Sequence, residues 1–260
     1  MIRRRNLLIV TVVMIWLAAV LVLDHGIGWG AVSPIEQRLL GVATWLLLVA
    51  LLLREPTRIR AQVGVVVGFA TVIEFTFSYA LHVYVYRLDN VPWYVPPGHG
   101  LVYLAALAIG RSPVVMRRPQ AYIGATMVVC GAYAGWGLFL SGRTDVLGAF
   151  WFACLVFFLL RSRQSTVFVG AFIVVTYLEL LGTHLGAWTW QVKEPILDLV
   201  PMGNPPSGAA GGYGFFDAAA LFLAPRIDAA LHRRREHRED LVVQPPVAAH
   251  HAPTVSAVDA

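Results

Sequence analysis

Counted against the ~20 residues that a helix needs to cross a bilayer, the apolar runs of this sequence give about eight spans, the fourth and sixth of them short, so the fold to expect is a transmembrane helical bundle. They run over 6–23, 36–53, 61–86, 97–110, 120–140, 145–160, 166–190 and 207–225. Backbone in hydrocarbon has no water to bond, so each span must satisfy its own amides, and the expected fold class is all-α. Composition agrees: 58% of the 260 residues are apolar and 13% are charged, far from soluble usage.

Arginine placement orients the bundle. Of the 20 Lys and Arg, 16 precede span 1, follow span 8, or lie between spans 2 and 3, 4 and 5, and 6 and 7. With eight spans all of these fall on one side, leaving Arg38, Arg87, Arg143 and Lys193 on the other. The positive-inside rule then makes both termini cytoplasmic and the protein a multi-pass component of the cytoplasmic (inner) membrane. The same bias accounts for the net charge of +5, and nothing points to nucleic acid. Residues 1–23 read as a retained first span, because the apolar core from Leu7 to Leu23 exceeds that of a secretory signal. Cys130 and Cys154 lie inside spans and read as small apolar fillers.

Two of the spans repeat one pattern 105 residues apart: Thr71-Val-Ile-Glu74-Phe-Thr-Phe-Ser78 and Thr176-Tyr-Leu-Glu179-Leu-Leu-Gly-Thr183. Each sets a carboxyl group in mid-span, with hydroxyls three residues before and four after, on one helical face. Ionisable groups at bilayer depth are rare and face the bundle interior. Further correspondences extend the repeat. An outer segment rich in Trp or Tyr follows each Glu, then Pro96-Pro97 or Pro205-Pro206, then Tyr103 or Tyr213 and Ala105-Ala106-Leu107 or Ala219-Ala220-Leu221. The chain therefore divides into a first four-span repeat (1–118), a second (119–230) and a cytoplasmic tail without structure (231–260). The repeats run parallel and are related by an axis along the membrane normal.

The expected site lies where the repeats meet. Glu74 and Glu179 are its general acids or polar anchors, and Thr71, Ser78, Thr176 and Thr183 are hydroxyl partners. Tyr84 and Tyr86, and likewise Trp188 and Trp190, end spans 3 and 7 at interface height. Asp217, ten residues into span 8, is a third acid, with Tyr103, Tyr213, His82 and His184 as further contacts. His82 stands eight residues beyond Glu74 on its face, so a metal or haem is conceivable, yet no pair has the i, i+4 spacing of a helical metal site and none is assigned. Asn204 reads as a cap for span 8, and Gly208, Gly211, Gly212 and Gly214 let that span approach a neighbour closely. Nucleotide hydrolysis and zinc proteolysis lack their motifs.

The segment Glu179-Leu-Leu-Gly-Thr-His-Leu-Gly-Ala-Trp-Thr-Trp190 resembles the signature of integral-membrane carotenoid enzymes, the lycopene cyclases and bisanhydrobacterioruberin hydratases. In these a mid-span Glu precedes a Gly and then a surface aromatic pair. Glu74 with Tyr84 and Tyr86 resembles a second copy. Where the cyclases carry a Pro-x-Glu-Glu type motif, this chain has Pro96-Pro97-Gly98-His99 and Asn204-Pro205-Pro206-Ser207, so only Glu74 and Glu179 carry over. The resemblance implies acid catalysis on a long isoprenoid, with no cofactor. The expected partners are bilayer lipid and an apolar small molecule, with a homo- or hetero-oligomer left open. The alternatives are a proton-coupled carrier with a midplane site and a structural subunit of a membrane complex.

Overall fold

The computed structural model describes residues 2–26 and 32–243. Among them the helices are α1 (Ile2–His25), α2 (Pro34–Leu52), α3 (Thr57–Glu74), α4 (Val95–Gly110), α5 (Pro113–Arg117), α6 (Pro119–Phe139), α7 (Val146–Arg161), α8 (Ser165–His184) and α9 (Ala209–Val243). A π-helical turn, Phe75–Ala80, prolongs α3. Two three-residue strands, β1 (Tyr84–Tyr86) and β2 (Trp188–Trp190), pair antiparallel, a small sheet in a chain expected to be all-α.

Among the described residues, six helical stretches are long and apolar enough to cross a membrane: Arg4–His25, Pro34–Leu52, Thr57–Ala80, Val95–Arg117, Pro119–Phe139 and Ser165–His184. Helix α7 is apolar but shorter, at 16 residues. The protein is therefore a multi-pass membrane protein. Its outward faces agree, since Leu8, Ile15, Leu46, Val128 and Phe139 are exposed, as suits a solvent of lipid tails.

Local signals set the helix ends. Ser33 and Glu36 form a capping box at α2, with Pro34 at the first helical position. Asp145 caps α7, and its carboxylate also accepts from the amides of Gly203 and Ser207, which ties the approach to α9 onto α7. Asn204 does not cap α9. It lies outside the helix and accepts from the Trp190 amide instead. Helix α9 runs on to Val243, so residues 231–243, expected to lack structure, are helical. No Gly or Pro interrupts them, and Leu, Arg and Glu are good helix formers. The remainder of that expected tail, 244–260, lies outside the described residues.

Helix α4 is buried almost all round, as a helix must be at the centre of a bundle. Helix α8 packs along it through small residues: a side chain at Gly170 would strike the Ala106 carbonyl, and one at Gly110 the backbone of Thr166. The Gly-rich start of α9 lies against α7, with Gly208 and Gly211 meeting the backbone around Trp151. Packing then crosses over, α3 on α9 and α8 on α4, while α3 also touches α4 and α8 touches α9. The change Gly170→Val is expected to lower stability by about 1–3 kcal/mol or more in a denaturation series, through overpacking. Gly124→Ala, where a methyl group meets nothing within 4 Å, serves as its neutral control.

Candidate functional site

Two chain reversals build the site. Helix α8 ends in a Schellman motif: Gly186 takes a positive φ of 64°, its amide bonds Thr183 O, and Ala187 N bonds Gly182 O at 2.8 Å. The chain then folds back as β2. Residues two apart share a strand face, so the indole N–H groups of Trp188 and Trp190 both donate to Oε2 of Glu179, at 3.0 and 3.2 Å.

The first half repeats this with one extra residue. Glu74 precedes Tyr84 by ten residues, whereas Glu179 precedes Trp188 by nine. The π-helical turn absorbs the difference, because its wider i→i+5 ring takes up one residue per turn. His82 then takes a positive φ of 52°, and Val83 N reaches back to Phe77 O at 2.8 Å. The hydroxyls of Tyr84 and Tyr86 donate to Oε2 of Glu74 at 2.9 and 2.8 Å. Strand pairing sets Tyr84 opposite Trp190 and Tyr86 opposite Trp188.

These reversals correct the expected spans 61–86 and 166–190, whose helices stop at Ala80 and His184. The aromatic pairs are strand residues and not helix ends. They turn inward because the buried carboxyl groups need donors, and the left-handed residues His82 and Gly186 let the backbone reverse.

His99, in the first turns of α4, places Nε2 2.8 Å from Oε1 of Glu74, with both groups buried. Its ring stacks on Tyr213 at 5.0 Å and meets the edge of Phe216. This is the imidazole that serves Glu74. The expected one, His82, is exposed in its turn and faces Asp89 at 3.9 Å. Among the described residues, no three His, Cys, Asp or Glu groups gather to hold a metal.

The expected hydroxyl stripes also resolve differently. Thr71 donates to Val67 O and Thr183 to Glu179 O, their own helices' carbonyls, while Ser78 and Thr176 form no hydrogen bond with either glutamate. A β-hydroxyl in a helix finds the preceding carbonyl nearer than a side chain one turn away.

Glu74 and Glu179 share a cavity of about 570 Å³ walled mainly by apolar and aromatic side chains. Of the expected residues, Tyr213, Trp188 and Trp190 also line it. Thr183 and His184 border a separate outer pocket with Arg143. Tyr103 and Asp217 are buried one turn below His99 and Tyr213 on α4 and α9, outside the cavity wall. Phe69, Phe77, Phe150 and Phe215 line the cavity yet remain 38–55% exposed, so it is continuous with the membrane-facing surface there.

Donor chemistry separates the two acids. An indole can only donate, so Oε2 of Glu179 is a pure acceptor, and Oε1 has no partner among the described residues. Both oxygens of Glu74 are engaged. Arg143 braces the outside of this assembly through the carbonyls of Trp190, Gln191 and Met202. In the outer segment Glu194 accepts from the amides of Leu199, Leu197 and Ile196, which hold its carboxyl below the usual carboxylate range, and Glu194 and Ile196 reach the cavity.

No protein-family model matches the chain, and neither the curated proteins nor the solved structures contain one similar to it.

Tyr86→Phe is expected to cost about 0.5–1.5 kcal/mol, the net worth of a typical hydrogen bond. The same change in a Glu74→Gln background should cost less, which a double-mutant cycle in a denaturation series reads directly. The Glu194 turn is sensitive to acid. A depressed carboxyl contributes above its unfolded value of about 4.3 and loses that contribution as pH falls through the folded value. Amide exchange at Ile196, Leu197 and Leu199 is expected to accelerate, after correction for intrinsic rates, as pH drops below that range, and not in Glu194→Gln.

Proposed function

We propose that this chain is an enzyme of the cytoplasmic membrane that carries out acid–base chemistry on a long apolar molecule of isoprenoid type. The observation that carries the reading is Oε1 of Glu179, the one unengaged carboxyl oxygen of the two glutamates, on the wall of an apolar cavity. A proton held there has no protein acceptor and can pass only to what fills the cavity. Leaving as H⁺ to an alkene carbon, it forms a C–H bond at the expense of the π pair. The two indole N–H groups stabilise the negative charge left on Glu179.

The carbocation so formed would be surrounded by π faces from Tyr84, Tyr86, Trp188, Trp190 and Tyr213, each able to stabilise positive charge by about 0.5–2 kcal/mol. The His99–Glu74 couple would take a proton from the neighbouring carbon, restoring a double bond. One proton enters and one leaves, so the outcome is an isomerisation or a ring closure, with no oxidant or reductant. The resemblance of Glu179 to Trp190 to carotenoid enzymes supports the same substrate class. Openings beside Phe69, Phe77, Phe150 and Phe215 suit a substrate arriving from the bilayer.

In this reading the chain is two parallel four-span repeats, divided near Pro119, with both termini cytoplasmic. Several features support the symmetry. Each Glu is served by the aromatic pair of its own following strand, and the strands meet about a central pair, Val85 and Thr189. The crossed packing of α3 on α9 and α8 on α4 is what a twofold exchange of the halves predicts. Counted from Val95 and Ala209, His99 and Tyr213 are both fifth in their helices, and Tyr103 and Asp217 both ninth. This register pairs Tyr213 with His99, and Tyr103 with Asp217, in place of the Tyr103–Tyr213 match.

Mass spectrometry of pigments and lipids retained by the gently solubilised protein, followed by conversion assays on them, tests the proposal. Glu179→Gln is expected to lower the rate about 10²–10⁴-fold, the worth of a general acid, and Glu74→Gln to fall in the same range. Undiminished product formation in both variants overturns it. Uptake of an unchanged solute driven by a pH gradient would establish a carrier instead.

A further inference from the structure

Three polar side chains with no partner lie inside the bundle, below the cavity. Gln62 is fully buried on α3, and neither of its amide atoms has a hydrogen-bond partner. The hydroxyl of Tyr103 on α4, 1% exposed, has none, nor has Oδ2 of Asp217 on α9, 4% exposed. A buried polar group left dry forfeits its hydrogen bonds, and three of them on α3 and the two helices packed against it, α4 and α9, make an empty interior a poor account.

Their placement is ordered along the bundle. Tyr103 and Asp217 each lie four residues, about 6 Å, beyond the stacked pair His99 and Tyr213 toward the ends bearing Arg111 and Arg226. Gln62 lies on the buried stripe of α3 that ends in Glu74 and includes Val66 and Ala70. It is 12 residues from Glu74, about 18 Å nearer the same Arg-rich face. Small residues line the intervening stretch, Ala70 on α3 and Ala220 and Ala224 on α9, all with no exposed surface. The groups therefore step from that face toward Glu74 and His99. The buried Nδ1 of His99 is likewise unpartnered.

We infer that Gln62, Tyr103 and Asp217 hold a file of internal water that carries protons between the cytoplasmic face and the Glu74–His99 couple. Water is the ligand that fits, since it can donate to the carboxyl oxygen, accept from the phenol and do both for the amide. Movement along the file transfers H⁺ from one water to the next, with no net change in any residue after each passage. The water site stands on the unpartnered groups alone. Its use as a proton route rests on the acid–base reading of the central cavity.

The experiment is pulsed hydroxyl-radical labelling by X-ray radiolysis of the full chain in detergent micelles, read by mass spectrometry, because radicals form from bound internal water. Tyr103 is expected to be labelled about tenfold faster than Phe168, which is equally buried at 1% exposure but in apolar surroundings. Gln62→Leu and Asp217→Leu should each bring Tyr103 down toward the Phe168 rate. Asp217→Asn, which keeps size and polarity, should leave the water and the labelling in place and keeps the test decisive if the leucine variant does not fold. Labelling of Tyr103 no faster than Phe168 overturns the inference and leaves the proposed chemistry standing. Labelling as expected, with no substrate turned over by the wild type, leaves the water file standing and removes the proton route. With a substrate in hand, Gln62→Leu, which removes the water, is expected to lower kcat about tenfold or more at unchanged KM, and an unchanged kcat removes the route.

Discussion

A carboxyl group in hydrocarbon is tolerable only where fixed donors replace the water it has lost, and that demand organises the centre of this protein. Placing an acid at mid-helix in a membrane costs about 2.5–3.5 kcal/mol on insertion scales. Each net hydrogen bond returns about 0.5–1.5 kcal/mol, so two or three fixed donors offset much of it. Glu179 receives two indoles, and Glu74 two phenols and an imidazole. The aromatic donors come from the strand that follows each acid's own helix, and His99 is added to Glu74 from α4.

That requirement explains why extended backbone is found in a membrane bundle. Non-helical chain at depth is allowed where it is enclosed by protein and its amides are paired. Strands β1 and β2 meet both conditions by pairing with each other, with Tyr84, Tyr86 and Trp188 buried. Close approach of α4 and α8 through Gly110, Ala106 and Gly170 supplies the rigid frame around them. The chemistry of the site then follows from a difference between the halves, since indoles only donate whereas phenols and imidazole can also accept.

Much of this was legible along the chain. Apolar runs located the long helices, and the repeated acids marked the centre, because hydrocarbon penalises both exposed amides and stray charge. The inward turn of the aromatic pairs was not legible. Tyr84 and Trp190 at the ends of apolar runs have the same pattern as interface anchors, and only the positive φ of His82 and Gly186 reverses the chain. His99 follows a Pro-Pro pair at a span start, where an imidazole reads as an interface residue. A signal was present, since it is the only imidazole in α4. The hydroxyl spacing reads as a polar stripe for the acids, yet Thr71 and Thr183 satisfy the carbonyl one turn back before any side chain can compete.

By itself the sequence determined that this is a membrane protein of apolar helices with acids at depth, since the length and polarity of a segment decide whether lipid accepts it. Tertiary structure decided which groups answer those acids. Glu74 meets His99 across 25 residues, and Tyr84 meets Trp190 across more than a hundred, and no local pattern encodes contacts that exist only once α3 has packed on α4 and β1 has paired with β2.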